Sequence, residues 1–575
     1  MTRSFMFLLL LAVALESSGQ IYFANEATNI GVTDHTGLTE LGNSLSVADY
    51  NNDGWDDITI TSGENVPLRF YKNSQGLFFE EVLIDPPILY QTRSVNWVDY
   101  DNDGDKDLFV TSDTHGNRLF QMTDLGLIDV TIASGLDTSI QATYGASWGD
   151  VNNDGCLDVY ISNRTENTSV SNYFYQSNCD GTFTDKTVEA GLANTPELTF
   201  CSGFFDFNND GWQDLYVSND KFAPNFMYQN NGDGTFTDVS EVSGTKLVID
   251  AMSVTVDDYN ADGFLDIYVT NTPDFISTMT KGGVLLKNNG DGTFTDVSEQ
   301  AGVNLNSFAW GSNFLDADND GDLDLYVGCS FDGSEGYPSF AFYERVDRDS
   351  FSQPVNIGFA GNQKRTHGTA ICDINNDGKV DIVAVNNSNE PPFIWNNQTS
   401  NSNNYLAVRL QGTISNRDAT GARIEISSNG KIQYRVLLNG EGYMSQNSTK
   451  ETFGIGDANI VDYIKVTWPN GITRTYFDIA VNQTVSFVED QTLDTNTFED
   501  LVFNIYPNPV NEKLFIVSKE GIDQLEIVNM TGQKVLDFKY LHNRNQVDVS
   551  SLSSGVYSIR ATLREASKTI RFIKE

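Results

Sequence analysis

The sequence predicts an all-β protein: a seven-bladed β-propeller, then a small β-rich domain and a C-terminal β-sandwich. Three observations lead to this prediction. One acidic, glycine-containing loop recurs seven times. Successive copies begin 50 to 58 residues apart, and such a period indicates a repeat architecture. Short runs of β-branched and aromatic residues flank each copy, as is typical of strands.

Residues 1–19 have the features of a secretory signal peptide. Arg3 supplies the basic region, residues 5–15 the apolar region, and Ser17 and Gly19 are small residues before a plausible cleavage site. An uncleaved membrane anchor is the alternative, although the apolar run is short for a membrane span. We expect no transmembrane span once the signal peptide is removed.

Composition indicates a folded and strongly acidic protein. Aromatic residues make up 12% of the chain and charged residues 20%, which is typical of a globular protein. A length of 575 residues allows several domains. The formal net charge is −44, and seven divalent cations would reduce it to about −30. The remaining negative charge argues against nucleic acid or an anionic membrane as a partner.

Each acidic loop has oxygen side chains at positions 1, 3, 5 and 9 and a glycine at position 6. In the sixth copy these residues are Asp316, Asp318, Asp320 and Asp324 around Gly321. Alternate residues of a tight loop can point at one centre, and position 7 can offer its carbonyl oxygen. Oxygen ligands favour Ca²⁺ over Zn²⁺, and Mg²⁺ suits a cage of protein oxygens less well. We therefore expect up to seven structural Ca²⁺ ions, with plain acidic turns as the alternative for one or two loops.

The predicted metal-binding residues occupy positions 1, 3, 5, 7 and 9 of loops 1 to 7. They are Asp49, Asn51, Asp53, Trp55, Asp57; Asp99, Asp101, Asp103, Asp105, Asp107; Asp150, Asn152, Asp154, Cys156, Asp158; Asp206, Asn208, Asp210, Trp212, Asp214; Asp258, Asn260, Asp262, Phe264, Asp266; Asp316, Asp318, Asp320, Asp322, Asp324; Asp373, Asn375, Asp377, Lys379 and Asp381. Position 7 varies widely, which fits a site that uses only its carbonyl. An EF-hand is excluded because position 12, a glutamate in that motif, is apolar in every copy. Loops 2 and 6 are the most acidic and are expected to bind Ca²⁺ most tightly.

Each repeat contains enough strand segments for one propeller blade. Two strands flank the loop, a third follows, as at 225–228, and a glycine turn leads into a fourth, as at Thr235. Repeat 7 stops after Trp395, whereas the segment from Phe23 resembles the fourth strand that begins at Phe294. We therefore predict that the N-terminal strand completes the last blade and closes the ring. An eight-bladed ring or an open solenoid is the alternative.

The acidic loops resemble those of FG-GAP/VCBS repeats, the blades of integrin-α-type propellers. The pattern Asp-x-Asn/Asp-x-Asp-Gly-x-x-Asp carries this resemblance over residues 20–397. The resemblance implies a propeller, and it leaves the function within that superfamily open.

A second β-rich domain is predicted over residues 404–489, after a polar linker. It contains four glycine-bearing motifs, at 416–423, 440–443, 453–456 and 466–471. These motifs resemble the ASPIC/UnbV domain, which follows such propellers in the cartilage acidic protein family. That resemblance implies no known chemistry. From the residues alone, the glycines are predicted turns and Trp468 is a predicted packed aromatic.

Residues 490–500 form an acidic linker before a C-terminal unit at 501–575. Short strands are predicted at 514–517, 524–528, 546–549 and 556–561. With the opening Tyr506-Pro507-Asn508-Pro509, this unit resembles the C-terminal sorting domain of type IX secretion. The resemblance implies a Gram-negative bacterium, the type IX secretion machinery as a partner, and a protein that is secreted or held at the outer-membrane cell surface.

Catalysis has little support in the sequence. The four histidines, His35, His115, His367 and His542, are scattered, and none lies in a nucleophile motif. The paired aspartates are better explained as metal ligands than as an acid/base dyad, and no phosphate-binding glycine loop is present. We therefore expect no enzyme and no catalytic residues. A calcium-dependent lyase acting on extracellular polysaccharide is the alternative, with His115, His367 or Arg164 as its weak candidates.

The predicted function is non-catalytic adhesion, matrix binding or glycan binding, with an extracellular protein or glycan as the partner. Loops between strands two and three of each blade lie on the face opposite the acidic loops. The loops at 271–283 and 328–339 are long and carry Phe275, Phe331 and Tyr337. Binding residues often lie on loops of a rigid scaffold, although ordinary surface loops are the alternative.

Five cysteines are few, and odd in number, for a secreted chain. Cys156, Cys179 and Cys201 are fairly close in sequence, whereas Cys329 and Cys372 flank loops 6 and 7. The sequence assigns no disulfide, and the simplest interpretation is five small buried apolar side chains.

Overall fold

The computed structural model describes the chain in a series of segments that begins at Gln20. These are residues 20–84, 87–165, 171–192, 198–221, 223–273, 282–331, 333, 336–387, 389–489, 503–518, 524–529, 533–539, 546–563 and 566–575. The predicted signal peptide, the linker at 490–500 and Phe275 lie outside them. The chain divides into two compact units, Met1–Gln491 and Thr492–Glu575. Helices within the described segments are all too short or too polar to span a bilayer.

The repeat region folds into four-stranded antiparallel sheets, here called blades and numbered with their acidic loops. An N-terminal strand, β1 (Phe23–Asn25), precedes them. Blade 1 has β2 (Leu45–Ala48), β3 (Asp57–Ile60), β4 (Arg69–Asn73) and β5 (Phe79–Val82); blade 2 has β6 (Val95–Val98), β7 (Asp107–Val110), β8 (Arg118–Gln121) and β9 (Ile128–Asp129); blade 3 has β10 (Thr143–Gly149), β11 (Asp158–Asn163), β12 (Tyr173–Ser177) and β13 (Phe183–Asp185). The alternating, aromatic-rich segments of the sequence thus form strands.

Blades 4 to 6 follow the same order, and two single-turn helices interrupt the series. Blade 4 has β14 (Thr199–Phe205), β15 (Asp214–Asn219), β16 (Phe226–Asn230) and β17 (Phe236–Asp238), followed by α1 (Ser240–Ser243); blade 5 has β18 (Ala251–Asp257), β19 (Asp266–Asn271), β20 (Val284–Asn288) and β21 (Phe294–Asp296), followed by α2 (Ser298–Ala301); blade 6 has β22 (Ala309–Leu315), β23 (Asp324–Cys329), β24 (Phe340–Asp347) and β25 (Ser350–Ser352). Their first and second strands are almost wholly buried.

Blade 7 joins the two ends of the repeat region. It consists of β26 (Thr366–Cys372), β27 (Asp381–Asn386), β28 (Phe393–Asn397) and the N-terminal strand β1. Phe23 pairs with Asn397 and Asn25 with Trp395. Strand β2 of blade 1 contacts β26 of blade 7, so the described sheets form a closed ring. The prediction that the N-terminal strand completes the last blade is confirmed, and so is the all-β propeller class.

Residues 404–489 fold as a second β-rich domain within the first compact unit. Its strands are β29 (Asn404–Gln411), β30 (Arg423–Ser428), β31 (Lys431–Val436), β32 (Glu451–Gly456), β33 (Ile460–Thr467), β34 (Thr473–Ala480) and β35 (Gln483–Val488). They form a three-stranded sheet, β32-β29-β35, and a four-stranded sheet, β31-β30-β33-β34. Trp468 is buried in the shared core with Leu406 and Phe453, which confirms its predicted packing role.

A segment of this second domain runs through the middle of the propeller ring. This channel segment, residues 438–448, connects β31 with β32. Its backbone bridges first strands at three places: Asn439 with Trp148, Gly442 with Val254, and Gln446 with Ser46. Tyr443 is completely buried at its tip, against Phe200 and Trp310. The bridges satisfy backbone groups that the inner sheet edges would otherwise leave unpaired.

The second compact unit is a pair of packed sheets. Its strands are β36 (Phe503–Tyr506), β37 (Lys513–Ser518), β38 (Gln524–Asn529), β39 (Lys534–Lys539), β40 (Gln546–Asp548), β41 (Gly555–Leu563) and β42 (Ala566–Lys574). Sheets β36-β37-β40 and β39-β38-β41-β42 share one apolar core that includes Leu514, Ile527 and Ile559. All four predicted strands are present, whereas β36, β39 and β42 were not predicted.

Candidate metal centres

The seven acidic loops join the first and second strands of the blades. In every blade, position 1 directly follows the first strand and position 9 is the first residue of the second strand. The loops therefore lie together at one face of the ring. The strand flanks agree with the exclusion of an EF-hand.

Two left-handed residues give each loop its shape. Position 6 is glycine with φ between 84° and 104°, and position 4 has φ between 54° and 60°. In loop 6, Asp316 accepts the N–H of Asp320 at 3.2 Å and of Gly321 at 2.9 Å. The Asp320 carboxylate in turn accepts the N–H of Asp322 at 2.8 Å. Position 1 therefore organises the backbone of the loop as well as offering an oxygen to its centre.

Position 9 has a second role that the sequence did not indicate. Asp158, for example, accepts the N–H of Ser177 at 2.8 Å and of Val151 at 3.1 Å. In every blade, Oδ1 of the position-9 aspartate accepts a backbone N–H from a residue in the third strand or just after it. The position-9 aspartate thus fastens the second strand to the end of the third.

The acidic side chains converge in the two most acidic loops. The carboxylate oxygens of Asp99, Asp101 and Asp103 lie within 4.8 Å of one another, and so do those of Asp316, Asp318 and Asp320. Loops 1, 3, 4, 5 and 7 have asparagine at position 3. Such an asparagine adds a neutral oxygen instead of a third carboxylate.

Several predicted ligand oxygens are buried without a hydrogen-bond donor. They are Asn51 Oδ1, Asp99 Oδ1, Asp107 Oδ2 and Asn260 Oδ1, at positions 3, 1, 9 and 3 of loops 1, 2 and 5. A buried oxygen without a donor is costly, and a hard cation bound by oxygens would satisfy it. The donor set therefore fits Ca²⁺.

Burial disfavours the ionised form of these carboxyl groups. Burial raises the pKa of Asp57 and of Asp107 to about 8, and like-charged neighbours in the same loop add to the shift. Burial also raises the pKa of Asp99 and Asp150 to about 7, with Asp418 and Asp154 as the largest charged contributors. A bound divalent cation would offset this repulsion and return the groups to the ionised form.

Position 4 links each loop to the next one. The side-chain amide of this asparagine donates to the carbonyl of the position-6 glycine in the following loop. The bonds run from Asn52 to Gly104 (3.0 Å), Asn102 to Gly155 (2.8 Å), Asn153 to Gly211 (3.0 Å), Asn209 to Gly263 (3.0 Å), Asn319 to Gly378 (2.9 Å) and Asn376 to Gly54 (3.4 Å). Loop 5 interrupts the series because its position 4 is Ala261. The asparagine that recurs at position 4 is the sequence signal for this ring of bonds, although no bond between loops was predicted from it.

In blades 1, 4 and 5, the side chain at position 7 packs against the turn between the third and fourth strands. Trp55 lies against Gly76, Trp212 against Gly232 and Phe264 against Gly290. At these positions the aromatic side chain packs on the turn, while the backbone carbonyl is the predicted metal ligand.

In blade 3 a disulfide takes the place of this contact. Cys156 at position 7 is bonded to Cys179, which has the same left-handed conformation as Gly232. Their sulfurs lie near Asp154, but as a disulfide they are not thiolate ligands. The interpretation of all five cysteines as free apolar side chains is therefore wrong for this pair. It holds for Cys201, Cys329 and Cys372, which are free and buried.

Cationic side chains of the second domain lie close to the position-1 aspartate of three loops. Arg409 Nη1 is 3.0 Å from Asp49 Oδ2, Arg417 Nε is 3.6 Å from Asp99 Oδ2, and Lys450 Nζ is 3.8 Å from Asp373 Oδ2. They leave a local negative charge at each loop, because every loop contains at least three carboxylates.

On the opposite face, two of the predicted recognition residues form an aromatic cluster. The ring centroids of Phe331 and Tyr337 are 5.5 Å apart, and those of Phe331 and Phe308 are 5.2 Å apart in a stacked arrangement. Phe331, Tyr337 and Phe308 are all half-buried. The cluster belongs to blade 6 and presents partly accessible rings.

The candidate lyase residues have separate partners. His115 stacks on Tyr90, Arg164 pairs with Asp220, and the His367 imidazole lies 3.0 Å from Ser330 Oγ. Burial lowers the pKa of His367 to about 3, so this imidazole is neutral and enclosed. Arg164 thus connects blades 3 and 4, and His367 connects blades 6 and 7.

Three protein families match the chain. The FG-GAP-like repeat matches residues 49–110, 99–161, 206–269 and 271–327. ASPIC and UnbV matches residues 412–494. The secretion system C-terminal sorting domain matches residues 504–575.

Solved structures with weaker likeness include fungal lectins. An Agrocybe aegerita lectin described by its recognition of non-reducing terminal N-acetylglucosamine is 18% identical, with a TM-score of 0.35, over 57% of this chain and 83% of the lectin. Aleuria aurantia lectin, a six-bladed β-propeller described by its fucose recognition, is 11% identical, with a TM-score of 0.31, over 57% of this chain and 99% of the lectin. At these TM-scores, the blade number and the ligands of the lectins say nothing about this chain.

Curated relatives match about half of this chain. Cartilage acidic protein 1 of Xenopus tropicalis is 26% identical over 301 residues, which is 50% of this chain and 45% of that protein. The Homo sapiens protein of the same name is 24% identical over 49% of this chain and 43% of its own length. The chain thus spans less than half the length of these relatives. It contains FG-GAP-like repeats, an ASPIC and UnbV domain and a secretion system C-terminal sorting domain, and cartilage acidic protein 1 is among its homologues.

Proposed function

We propose that this secreted propeller protein is a calcium-binding, non-catalytic recognition protein of the cell surface. The observation that carries the calcium assignment is the set of buried oxygens without donors at ligand positions of loops 1, 2 and 5. Converging carboxylates in loops 2 and 6 support it. Type IX export through the sorting domain would deliver the protein to the cell surface or the medium. The role of calcium is structural, because the loops tie strands and blades to one another.

Calcium removal tests the metal assignment. Calcium per chain would be measured by mass spectrometry of the metal, and thermal melting would be followed with and without EDTA. We expect several Ca²⁺ per chain and a melting temperature lower by many degrees after removal, because buried carboxylates then repel one another. A calcium-free protein that melts at an unchanged temperature would contradict the assignment.

A matched pair of variants separates the acidic loops from ordinary acidic turns. Asp320→Asn removes a converging carboxylate in loop 6. Asp233→Asn changes an aspartate of the β16–β17 turn that bonds only to Thr235 in its own turn. We expect Asp320→Asn to lower calcium stoichiometry or affinity and Asp233→Asn to leave both unchanged.

Recognition is proposed on the face opposite the acidic loops, at the aromatic cluster of Phe308, Phe331 and Tyr337. Partly exposed aromatic rings offer an apolar face and a polar edge to a glycan or an extracellular protein. A glycan array with and without EDTA tests this, using Phe331→Ala with Tyr337→Ala, and Phe78→Ala as the control because Phe78 is an exposed ring in another blade. Unchanged binding by the double variant rules the cluster out. Product analysis of any bound glycan tests the lyase alternative.

A further inference from the structure

The face that carries the acidic loops is covered by the second domain. Every loop has a contact with it, from loop 1 to loop 7. These contacts are Arg409 Nη2 to Gly54 O (2.8 Å), Arg417 N–H to Asn102 Oδ1 (2.9 Å), the backbone of Ile414 against Gly155, Arg423 Nη1 to Asn209 Oδ1, Arg423 Nη2 to Gly263 O (2.7 Å), Gly456 N–H to Asn319 O (2.8 Å) and Lys450 Nζ to Asp373 O (3.1 Å). The loops are therefore also a docking platform for a neighbouring domain.

Most of these contacts are made to positions 4 and 6, the two left-handed residues of each loop. Asn102, Asn209 and Asn319 occupy position 4, and Gly54 and Gly263 occupy position 6. Left-handed backbone is unfavourable for residues other than glycine. The loops keep it because the position-1 carboxylate binds two backbone N–H groups at the centre that carries the predicted metal ligands. The second domain thus recognises a loop shape that depends on that centre.

Docking of this domain also holds the channel segment in place. Between residues 439 and 448 the segment bonds to the first strand of every blade. Partners are Val47 with Gln446 (2.9 Å), the Trp97 N–H with Gln446 Oε1 (2.8 Å), Trp148 with Asn439 (2.9 Å), Cys201 Sγ with the Met444 N–H (3.3 Å), Val254 with Gly442 (2.8 Å), Asn313 Nδ2 with Asn447 Oδ1 (3.0 Å) and the Ile371 N–H with Asn447 Oδ1 (2.9 Å). No other segment among the described residues is seen to bond to first strands of all seven blades.

We propose that calcium in the acidic loops controls docking of residues 404–489, so that calcium removal releases this domain and withdraws the channel segment while the blades stay folded. The inference rests on the proposed calcium function. Its physical basis is a difference between two kinds of contact. Blades are held by strand hydrogen bonds and by apolar clusters shared between neighbours. The second domain meets the acidic loops through polar bonds to backbone that the metal orders, and its apolar contact with the propeller core is made by Tyr443 and Met444 of the channel segment.

Hydrogen exchange on the full-length chain tests the proposal. Exchange of the channel segment would be compared with that of β11 and β15, in calcium, after EDTA, and after calcium is restored. We expect at least about a tenfold faster exchange in the channel segment without calcium, restored by calcium but not by Mg²⁺, and little change in the two blade strands. Unchanged exchange in a chain shown to be calcium-free overturns the proposal, and so does simultaneous loss of protection in all three segments.

The outcome is distinguishable from failure of the calcium assignment. If the chain binds no calcium, the proposed function itself fails, and metal analysis shows this directly. If calcium binds and leaves the channel segment equally protected in both states, only the docking inference fails.

A matched pair of arginine variants tests the contacts themselves. Arg423→Ala removes bonds to loops 4 and 5, whereas Arg474→Ala changes an exposed arginine of β34 that bonds to the adjacent Thr473. We expect Arg423→Ala to need about tenfold more calcium for half-maximal protection of the channel segment, because two bonds from a charged group are lost. Arg474→Ala should leave the midpoint unchanged. Equal midpoints for both variants would overturn the proposed coupling.

Discussion

The glycine at position 6 of the acidic loops has the same backbone conformation in loops 3 and 4 but different surroundings. Gly155 and Gly211 have φ of 89° and 90°, so any side chain at either position is strained. Their surroundings differ. A Cβ on Gly155 would lie 2.5 Å from the carbonyl oxygen of Ile414 in the second domain, whereas a Cβ on Gly211 would have nothing within 4 Å.

This pair predicts the energetic weight of the interdomain contact. Gly211→Ala should lower the free energy of unfolding by about 1–2 kcal/mol, through left-handed strain alone. Gly155→Ala should cost about 1–3 kcal/mol more, because the methyl group forces the second domain away. Denaturant unfolding in saturating calcium measures both values. Equal losses would show that the Ile414 contact yields without cost.

Glu451 is a buried carboxyl group in the joint between the two domains. It lines an internal cavity of about 60 Å³ with Asp257, Glu441, Arg435 and Lys450. Burial raises the pKa of Glu451 to about 8, with Asp257 and Glu441 adding to the shift and Arg435 opposing it. The residue as a whole is half-buried, and it lines the cavity.

The raised pKa of Glu451 predicts a pH dependence of stability. The unfolded chain releases this proton near pH 4.5 and the folded chain near pH 8. The stabilising contribution is therefore complete below pH 4.5 and is lost as the pH rises to 8. Glu451→Gln should leave stability at pH 5 nearly unchanged and raise it at pH 8 by about 1–3 kcal/mol. Urea unfolding at both pH values, with exposed Glu299→Gln as the control, checks this; equal pH slopes for parent and Glu451→Gln would contradict it.

At the scale of the element, the acidic loop is a connector as well as the proposed metal site. Its position-9 aspartate binds the third strand of its own blade, and its position-4 asparagine binds the next loop. Loop 5 is the exception, because Ala261 adopts φ of 56° without an amide to donate. Alanine is unfavourable in this region, whereas asparagine tolerates it.

Completing the ring of asparagines should therefore stabilise the propeller. Ala261→Asn is expected to add about 1–2 kcal/mol to the free energy of unfolding, from relief of left-handed strain and a new bond to the carbonyl of Gly321. Ala261→Gly is the matched control, since it relieves the strain and supplies no donor. Thermal and urea unfolding distinguish them, and an asparagine variant no more stable than the glycine variant would argue against the new bond.

At the scale of the whole molecule, the second domain and the propeller belong to one compact unit. The channel segment fills the centre of the ring, and Tyr443 donates its hydroxyl to the carbonyl of Leu41 at 2.6 Å. The central channel of the propeller is therefore filled by the channel segment along the length of that segment. The aromatic cluster proposed for recognition is partly exposed at the other face.

Tyr443 provides the test of this arrangement. Tyr443→Ala should lower the free energy of unfolding by about 3–5 kcal/mol, because a large buried ring is removed from between Phe200 and Trp310. Tyr443→Phe should cost only about 1 kcal/mol, for the hydroxyl bond. Denaturant unfolding compares the two, and equal losses would mean that the ring contributes little to the joint.

The sequence by itself determined the repeat, its strands and its loop chemistry. Those features are local: ligand spacing, the glycine turn and the strand flanks all fall within about fifteen residues of one another, as at Asp316 to Val327. Ring closure by Phe23 was also predictable, since its segment repeats the pattern of a fourth strand. Repetition made the local signal strong, because seven copies agree.

Only the tertiary structure decided how these parts work together. Tyr443 meets Phe200 and Leu41, residues more than two hundred positions away, and no local pattern encodes such a meeting. The same holds for Arg423 on loops 4 and 5, and for the domain that covers the face of the acidic loops. The periodic pattern predicts the role of each residue within its own blade, whereas packing between distant segments decides that the second domain covers the face of the acidic loops.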